Sequence, residues 1–131
     1  MLNDIVEYVD GGKACWARVK GVIKGNILLT ELDGKNDFIT KIDCIRPVTL
    51  LAGMMEKNGL RKKGDNRWYF ENEMRLDLGI LSIGIDDGCG EGLSLMPDGD
   101  ITYFCQTVHR LQHILREAGR KDIADNFKIK M

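Results

Sequence analysis

The chain has 131 residues, of which 44% are hydrophobic and 30% charged, a composition typical of a folded domain rather than a disordered segment. Its formal net charge of -1 creates no overall field that would attract nucleic acid or a membrane surface. The N-terminal sequence lacks the basic and apolar regions of a signal peptide. We therefore expect a cytoplasmic protein without membrane association. No C-x-x-C pair occurs among the cysteines, which are expected to be free thiols: Cys15, Cys44, Cys89 and Cys105.

The first 47 residues alternate short β-like runs with turns that contain glycine. Residues 10–12, 25–26 and 33–34 are Asp-Gly-Gly, Gly-Asn and Asp-Gly, which accept the positive φ angles of hairpin turns. Four or five short strands are predicted here, arranged as either a small SH3-like β-barrel or a curled antiparallel sheet. Pro47, which lacks an N–H group, is expected to end the region. The predicted core consists of Trp16, Val19, Val22, Ile27, Leu29 and Ile39.

The remaining residues combine two predicted helices with several strands. Apolar residues at helical spacing predict a helix over 50–58, with Thr49 as its N-cap and Gly59 at its end. A second helix is predicted over 106–118 and is followed by Gly119. The tail could add a short turn of helix or an edge strand. Strands are predicted over 67–76, 78–85, 93–96 and 101–105.

The sequence thus predicts an α+β fold. An N-terminal SH3-like barrel or curled antiparallel sheet is followed by a helix, antiparallel β-strands and a C-terminal helix packed on the sheet. The division is expected near Pro47, with a β lobe over 1–47 and an α+β lobe over 48–131. A single continuous domain over 1–131 is the alternative.

Two histidines on the last predicted helix invite a metal-binding interpretation. His109 and His113 are four residues apart and so share one helical face, while Cys105 lies one turn earlier. The glutamate of an H-E-x-x-H motif is missing, and Arg110 would repel a cation. We therefore predict no metal site and no cofactor, with His109 and His113 as the only metal candidates.

A basic segment next to aromatic residues suggests nucleic-acid binding as an alternative function. Bases interleaved with aromatic rings suit phosphate contacts and base stacking on single strands. On a strand, however, Trp68 and Phe70 would share one face, and we favour a core position for both. The candidate nucleic-acid residues are Arg61, Lys62, Lys63, Arg67 and Trp68.

Charge is distributed unevenly along the second half of the chain. Residues 71–100 contain eight acidic residues against one basic residue, whereas residues 106–131 contain six basic residues against three acidic ones. We predict that the acidic turns and the basic helix face each other or solvent. The acidic, glycine-rich turn at 86–91 lacks the spacing of a calcium loop or a phosphate loop, so a connection between strands is predicted.

Three segments together resemble a family of small uncharacterised proteins from gut Bacteroidetes genomes, their prophages and mobile elements. Residues 45–50, Ile-Arg-Pro-Val-Thr-Leu, are similar to its I-[KR]-P-[IV]-x-L junction. Residues 55–60 resemble the helix end that follows, with Leu60 where the family usually has Phe. Residues 108–113, Val-His-Arg-Leu-Gln-His, resemble its closing V-H-x-L-Q helix. The resemblance implies no catalytic residue or cofactor, and it suggests an accessory role in a phage or mobile element.

No recognised catalytic motif is present: the chain has no G-x-S-x-G sequence, no credible Ser-His-Asp set and no dinucleotide fingerprint. We therefore expect a non-enzymatic protein that binds a protein partner, and a homodimer is one form this could take. A groove beside the sheet, or an exposed sheet edge, would be the contact surface. The alternative is a nucleic-acid-binding accessory protein that uses the basic segment at 61–67 and the basic C-terminal helix.

Overall fold

The contacts in the computed structural model divide the chain into two units, Met1–Val48 and Thr49–Met131. This division lies one residue from the predicted boundary, while the independence of the two lobes as domains stays a prediction. Each unit contains its own sheet, and the α+β class is confirmed. The structure describes residues 2–10, 12–32, 36–62, 66–70, 74–76, 79–86 and 90–129.

Unit 1 is a curled antiparallel sheet with the strand order β4-β3-β2-β1-β5. Among the described residues no ladder joins β4 to β5, so the curled sheet is confirmed and the closed SH3-like barrel is not formed. A 3-10 turn at Ile42–Cys44 separates β4 from β5, and β5 ends at Pro47 as expected. The strands are β1 Ile5–Asp10, β2 Lys13–Ile23, β3 Asn26–Glu31, β4 Asp37–Lys41 and β5 Ile45–Pro47.

The inner face of this sheet carries the core of unit 1. Its buried members are Val6, Ala17, Val19, Ile27 and Leu29, and Tyr8, Phe38 and Ile45 pack against them.

Three of the six predicted core residues are exposed instead. Trp16 and Ile39 are 37% and 66% exposed, because their strand neighbours Ala17 and Phe38 occupy the inner face and alternation turns them to the other side. Val22 is 48% exposed and lies at the end of the β2–β3 hairpin, beyond the shift in register that follows Val19.

Unit 2 contains a mixed sheet with the order β10-β11-β9-β7-β6, and β8 also pairs with β9. The prediction of antiparallel pairing throughout is wrong for β9 and β11, which are parallel. The chain reverses into β10 and again into β11, and because β11 rather than β10 lies beside β9, the two run in the same direction. The strands are β6 Arg61–Lys62, β7 Arg67–Tyr69, β8 Met74–Leu76, β9 Gly79–Ile85, β10 Gly92–Leu95 and β11 Ile101–Cys105.

The single strand predicted over 67–76 is two strands on the same side of β9. Trp68 of β7 pairs with Ile83 of β9, and Met74 of β8 pairs with Leu81 of β9. The two residues are six positions apart in the sequence, whereas their partners on β9 are only two positions apart. β7 and β8 are therefore not one continuous strand paired residue by residue with β9, which an aromatic-rich run cannot reveal in the sequence.

The described residues of unit 2 form three helices, α1 Ala52–Lys57, α2 Val108–Glu117 and α3 Lys121–Asp125. Helix α1 begins later than predicted because the preceding residues are extended: Thr49 forms a β-bridge with Thr107, and the Leu50 N–H donates to Gln106 O at 2.8 Å. Thr49 is therefore not the N-cap. Gly59 and Gly119 follow the helix ends with φ of 88° and 82°, as the sequence predicts.

The end of the chain is fastened to unit 2 by one amide side chain. Asn58 Nδ2 donates to Lys128 O at 2.7 Å, and Lys128 N donates to Asn58 Oδ1 at 2.8 Å. Phe127 and Ile129, on either side of Lys128, are buried. The tail therefore supplies core residues after α3 and does not add a strand to the sheet.

Candidate functional site

An open groove of about 340 Å³ lies in unit 1 on the side where the sheet is not closed. The groove combines aromatic, aliphatic and polar side chains from β1, β3, β4 and the residue before β4. Its lining residues are Tyr8, Val9, Glu31, Asn36, Phe38, Ile39 and Thr40.

Two aromatic rings meet at this groove from strands that are not neighbours in the sheet. The ring centroids of Tyr8 on β1 and Phe38 on β4 are 4.8 Å apart, with an angle of 54° between the ring planes. Such a tilted contact is a favourable arrangement for two aromatic quadrupoles. Both side chains also pack against the core of unit 1, and these contacts hold the two rings in position.

The strand register explains why a carboxylate belongs to the same groove. Glu31 pairs with Ala17 across β2 and β3, and Phe38 pairs with Leu29 across β3 and β4. Since Ala17 and Leu29 are core residues, Glu31 and Phe38 both lie at inner-face positions of the sheet. The Glu31 N–H donates to Asn36 O at 3.0 Å, which fixes the backbone at the end of β3.

The groove adjoins a sheet edge and two exposed aliphatic residues. Ile39 is 66% and Val9 51% exposed, and both line the groove. Strand β4 pairs with β3 on one side and, within the described part of the chain, with no strand on the other. An edge of this kind can accept an added strand through its main-chain groups, while adjacent pockets receive alternate side chains.

The sequence predicts a groove or an exposed sheet edge as the contact surface, but it does not identify the residues of this groove. Ile39, which lines it, is a predicted core residue. Tyr8 and Phe38 are 30 positions apart in the sequence, so only the curl of the sheet brings them together. The one available signal was an aromatic residue on each of two predicted strands.

The described members of the predicted nucleic-acid set differ in exposure and in charge pairing. Arg61 and Lys62 are exposed on β6, and Lys63 lies outside the described residues. The Arg67 guanidinium donates to Asp98 at 3.0 Å, so its charge is compensated. Trp68 is 2% exposed, which confirms the core position favoured for it and removes its ring from base stacking.

The two histidines of α2 lie next to each other on one face of the helix. The rings of His109 and His113 are 6.0 Å apart, with an edge-to-face orientation. No group of three or more His, Cys, Asp or Glu side chains that could hold a metal ion occurs among the described residues. Cys105, the third ligand considered from the sequence, is fully buried in β11.

Burial makes the Cys105 thiol unreactive. Desolvation, with smaller contributions from the Glu91 and Asp86 carboxylates, raises its pKa from 9.0 to about 12. The thiolate, which is the nucleophile and metal ligand, is therefore scarce at neutral pH.

The raised pKa of Cys105 predicts a loss of stability in alkali. Above pH 9 the unfolded thiol ionises while the folded thiol stays protonated, so the free energy of unfolding should fall by up to about 1.4 kcal/mol per pH unit. Urea unfolding at pH 8, 9 and 10 measures this decrease in the free energy of unfolding. In a Cys105→Ala variant, the decrease caused by ionisation of the Cys105 thiol should be absent.

In a Cys89→Ser background, Ellman's reagent should modify the exposed Cys44 and leave Cys105 unmodified until unfolding. Rapid modification of Cys105 in the folded protein would contradict the prediction.

A polar cluster lies where the parallel strands β9 and β11 end. Asp86 accepts hydrogen bonds from the Gly90 N–H at 3.1 Å and from Gln106 Nε2 at 3.0 Å. Glu91 accepts one from the Gln106 N–H at 3.3 Å and forms an ion pair with Arg110 at 3.6 Å. The acidic turn and the basic helix therefore meet within one chain, as one of the two predicted arrangements requires. These bonds connect the turn after β9 to the start of α2, so we assign the cluster a role in stabilising the fold.

Comparison with protein-family models, with curated proteins and with solved structures finds no match to this chain. Among the residues described, no helix is long and apolar enough to span a bilayer.

Proposed function

We propose that this chain is a non-enzymatic protein that binds an extended segment of a protein partner in the groove of unit 1. The main observation in support is the Tyr8–Phe38 ring pair, which lies in an open groove. The groove is beside the edge of β4 that pairs with no other described strand. The resemblance of residues 45–60 and 108–113 to proteins of prophages and mobile elements adds an accessory role in such an element to the proposal.

The size of the groove supports a peptide segment as the ligand. A volume of about 340 Å³ is at the lower end of the range for small-molecule sites, which is roughly 300–1,000 Å³. It holds one or two side chains of a longer ligand. The rest of that ligand would bind along β4, where main-chain hydrogen bonds supply affinity without requiring a particular sequence.

The test is a selection of random 12-residue peptides on the immobilised protein, followed by fluorescence-anisotropy titration of the enriched peptides. Phe38→Ala removes half of the ring pair and should weaken binding by about tenfold or more, as truncation of a buried aromatic anchor does. Thr40→Lys places a charge at an inner-face position of β4 that lines the groove and should have a similar effect. Because Thr40 is only half-buried, the long lysine side chain can reach solvent without entering the core of unit 1.

Matched controls separate the groove from the rest of the surface. Leu95→Lys introduces the same chemistry at a 79% exposed residue of the edge strand β10 in unit 2, and should leave affinity unchanged. Circular dichroism must show that every variant is folded. Failure to enrich any peptide, or equal affinity for wild type and Thr40→Lys, would contradict the proposal. Labelled RNA and DNA are titrated in parallel, and salt-sensitive binding that requires Arg61 and Lys62 would favour the nucleic-acid alternative.

A further inference from the structure

The chemistry of the groove identifies the kind of side chain it receives, and this step rests on the proposed function. We infer that the groove recognises the cationic side chain of a lysine or arginine carried by the extended segment. Glu31 supplies the charge, and Tyr8 and Phe38 supply the aromatic surface. The three groups come from β3, β1 and β4 and converge only because the sheet curls.

The electrostatic part of the inference depends on Glu31. Of the described side chains that line the groove, Glu31 is the charged one, and the other described ones are apolar, aromatic or neutral polar. Among the residues described, no cation forms an ion pair with its carboxylate. An acidic ligand would be repelled, and an apolar ligand would remove water from the Glu31 and Asn36 side chains without replacing their hydrogen bonds. A basic side chain satisfies the carboxylate.

The aromatic part of the inference adds a second, independent preference for a cation. A Lys or Arg head group is attracted to the face of an aromatic ring when it lies within about 6 Å of the ring centroid. The methylene stem of the same side chain can pack against the rings. The Tyr8–Phe38 pair and the Glu31 carboxylate together therefore match both halves of a long basic side chain.

The edge of β4 fixes how the ligand would present that residue. In an added strand, successive side chains point to opposite faces of the sheet, so every second residue faces the groove. One basic residue at a groove-facing position is expected to carry the specificity, while the residues on either side of it point away. The ligand is therefore an extended segment with a position-specific basic residue and does not need to be basic throughout.

The experiment uses the peptides enriched on the wild-type protein. Each lysine is replaced in turn by norleucine and each arginine by citrulline, which remove the charge and keep most of the side-chain shape. Replacement at one position should weaken binding about tenfold, as expected for a cation held by a carboxylate and aromatic rings in a partly desolvated site. Replacement at the other basic positions should change affinity less than about twofold.

A double-mutant cycle with Glu31→Gln assigns the effect to the carboxylate. Glu31→Gln should weaken binding of the parent peptide, and the further loss on removing the peptide's cation should be smaller than in wild type. Glu56→Gln makes the same charge change at an exposed residue of α1 and should preserve the full wild-type effect.

The outcomes distinguish this inference from the proposed function. Groove-dependent peptides that contain no required basic residue, or that bind Glu31→Gln as tightly as wild type, would overturn the cation inference and leave the peptide-binding function in place. Absence of any groove-dependent peptide would overturn both. A requirement for lysine alone, or for arginine alone, would support the inference and identify which cation the groove receives.

Discussion

Replacing Gly84 by alanine should destabilise unit 2 by about 1–3 kcal/mol, the usual cost of adding atoms to a well-packed site. Gly84 lies in β9 opposite Phe104 of β11. A Cβ atom at this position would be 2.5 Å from Phe104 Cε1 and 2.6 Å from Cδ1, with Thr102 Cγ2 at 3.2 Å. Contacts under 3.0 Å essentially never occur for real Cβ atoms, so the ring must move. Thermal and urea unfolding measure the effect.

Two further variants identify the cause of this destabilisation. In a Phe104→Ala background, Gly84→Ala should cost much less than in wild type, because both ring carbons nearest to the new methyl group are absent. Gly21→Ala is the matched control, since Gly21 also lies within a strand and its Cβ would meet nothing within 4 Å. A Gly84→Ala protein as stable as wild type would mean that the β9–β11 pairing is not as described.

Replacing Gln112 by glutamate should destabilise the protein by about 3–5 kcal/mol at neutral pH, the cost of an uncompensated buried charge. Gln112 is fully buried in α2, and its Nε2 donates to Ala124 O of α3 at 2.7 Å. An ionised carboxylate of nearly the same shape cannot donate this bond and would face a carbonyl oxygen. Urea unfolding at neutral pH measures the loss, and an unchanged midpoint would contradict the burial of this side chain.

The Gln112→Glu variant should also show a distinctive pH dependence. Burial raises the pKa of the new carboxyl above its unfolded value of about 4.3. The folded state then holds its proton more tightly, so the variant's stability should fall as pH rises from about 4.3 through the folded pKa. Gln112→Met removes the donor without adding a charge and should show no such dependence relative to wild type. Equal pH profiles for the two variants would exclude a buried charge at this position.

The sequence determined the class of the fold and the positions of most elements. Alternating apolar residues and glycine turns before Pro47 predicted the first sheet, and helical spacing around Leu111 predicted α2. These signals are local: the periodicity of a strand or helix and the φ angle of a turn depend on neighbouring residues. For the same reason the positive φ of Gly59 and Gly119 was predictable, as was the burial of Trp68.

The tertiary structure decided which distant residues meet. Whether the first sheet closes depends on pairing between its first and last strands, and the open side is where Tyr8 reaches Phe38. The inner or outer position of Ile39 depends on register, since a shift by one residue would exchange the two faces. The parallel pairing of β9 and β11 depends on which strand of the β10–β11 hairpin lies next to β9. The groove is a product of sheet curvature and long-range register, and periodicity within single segments carries information on neither.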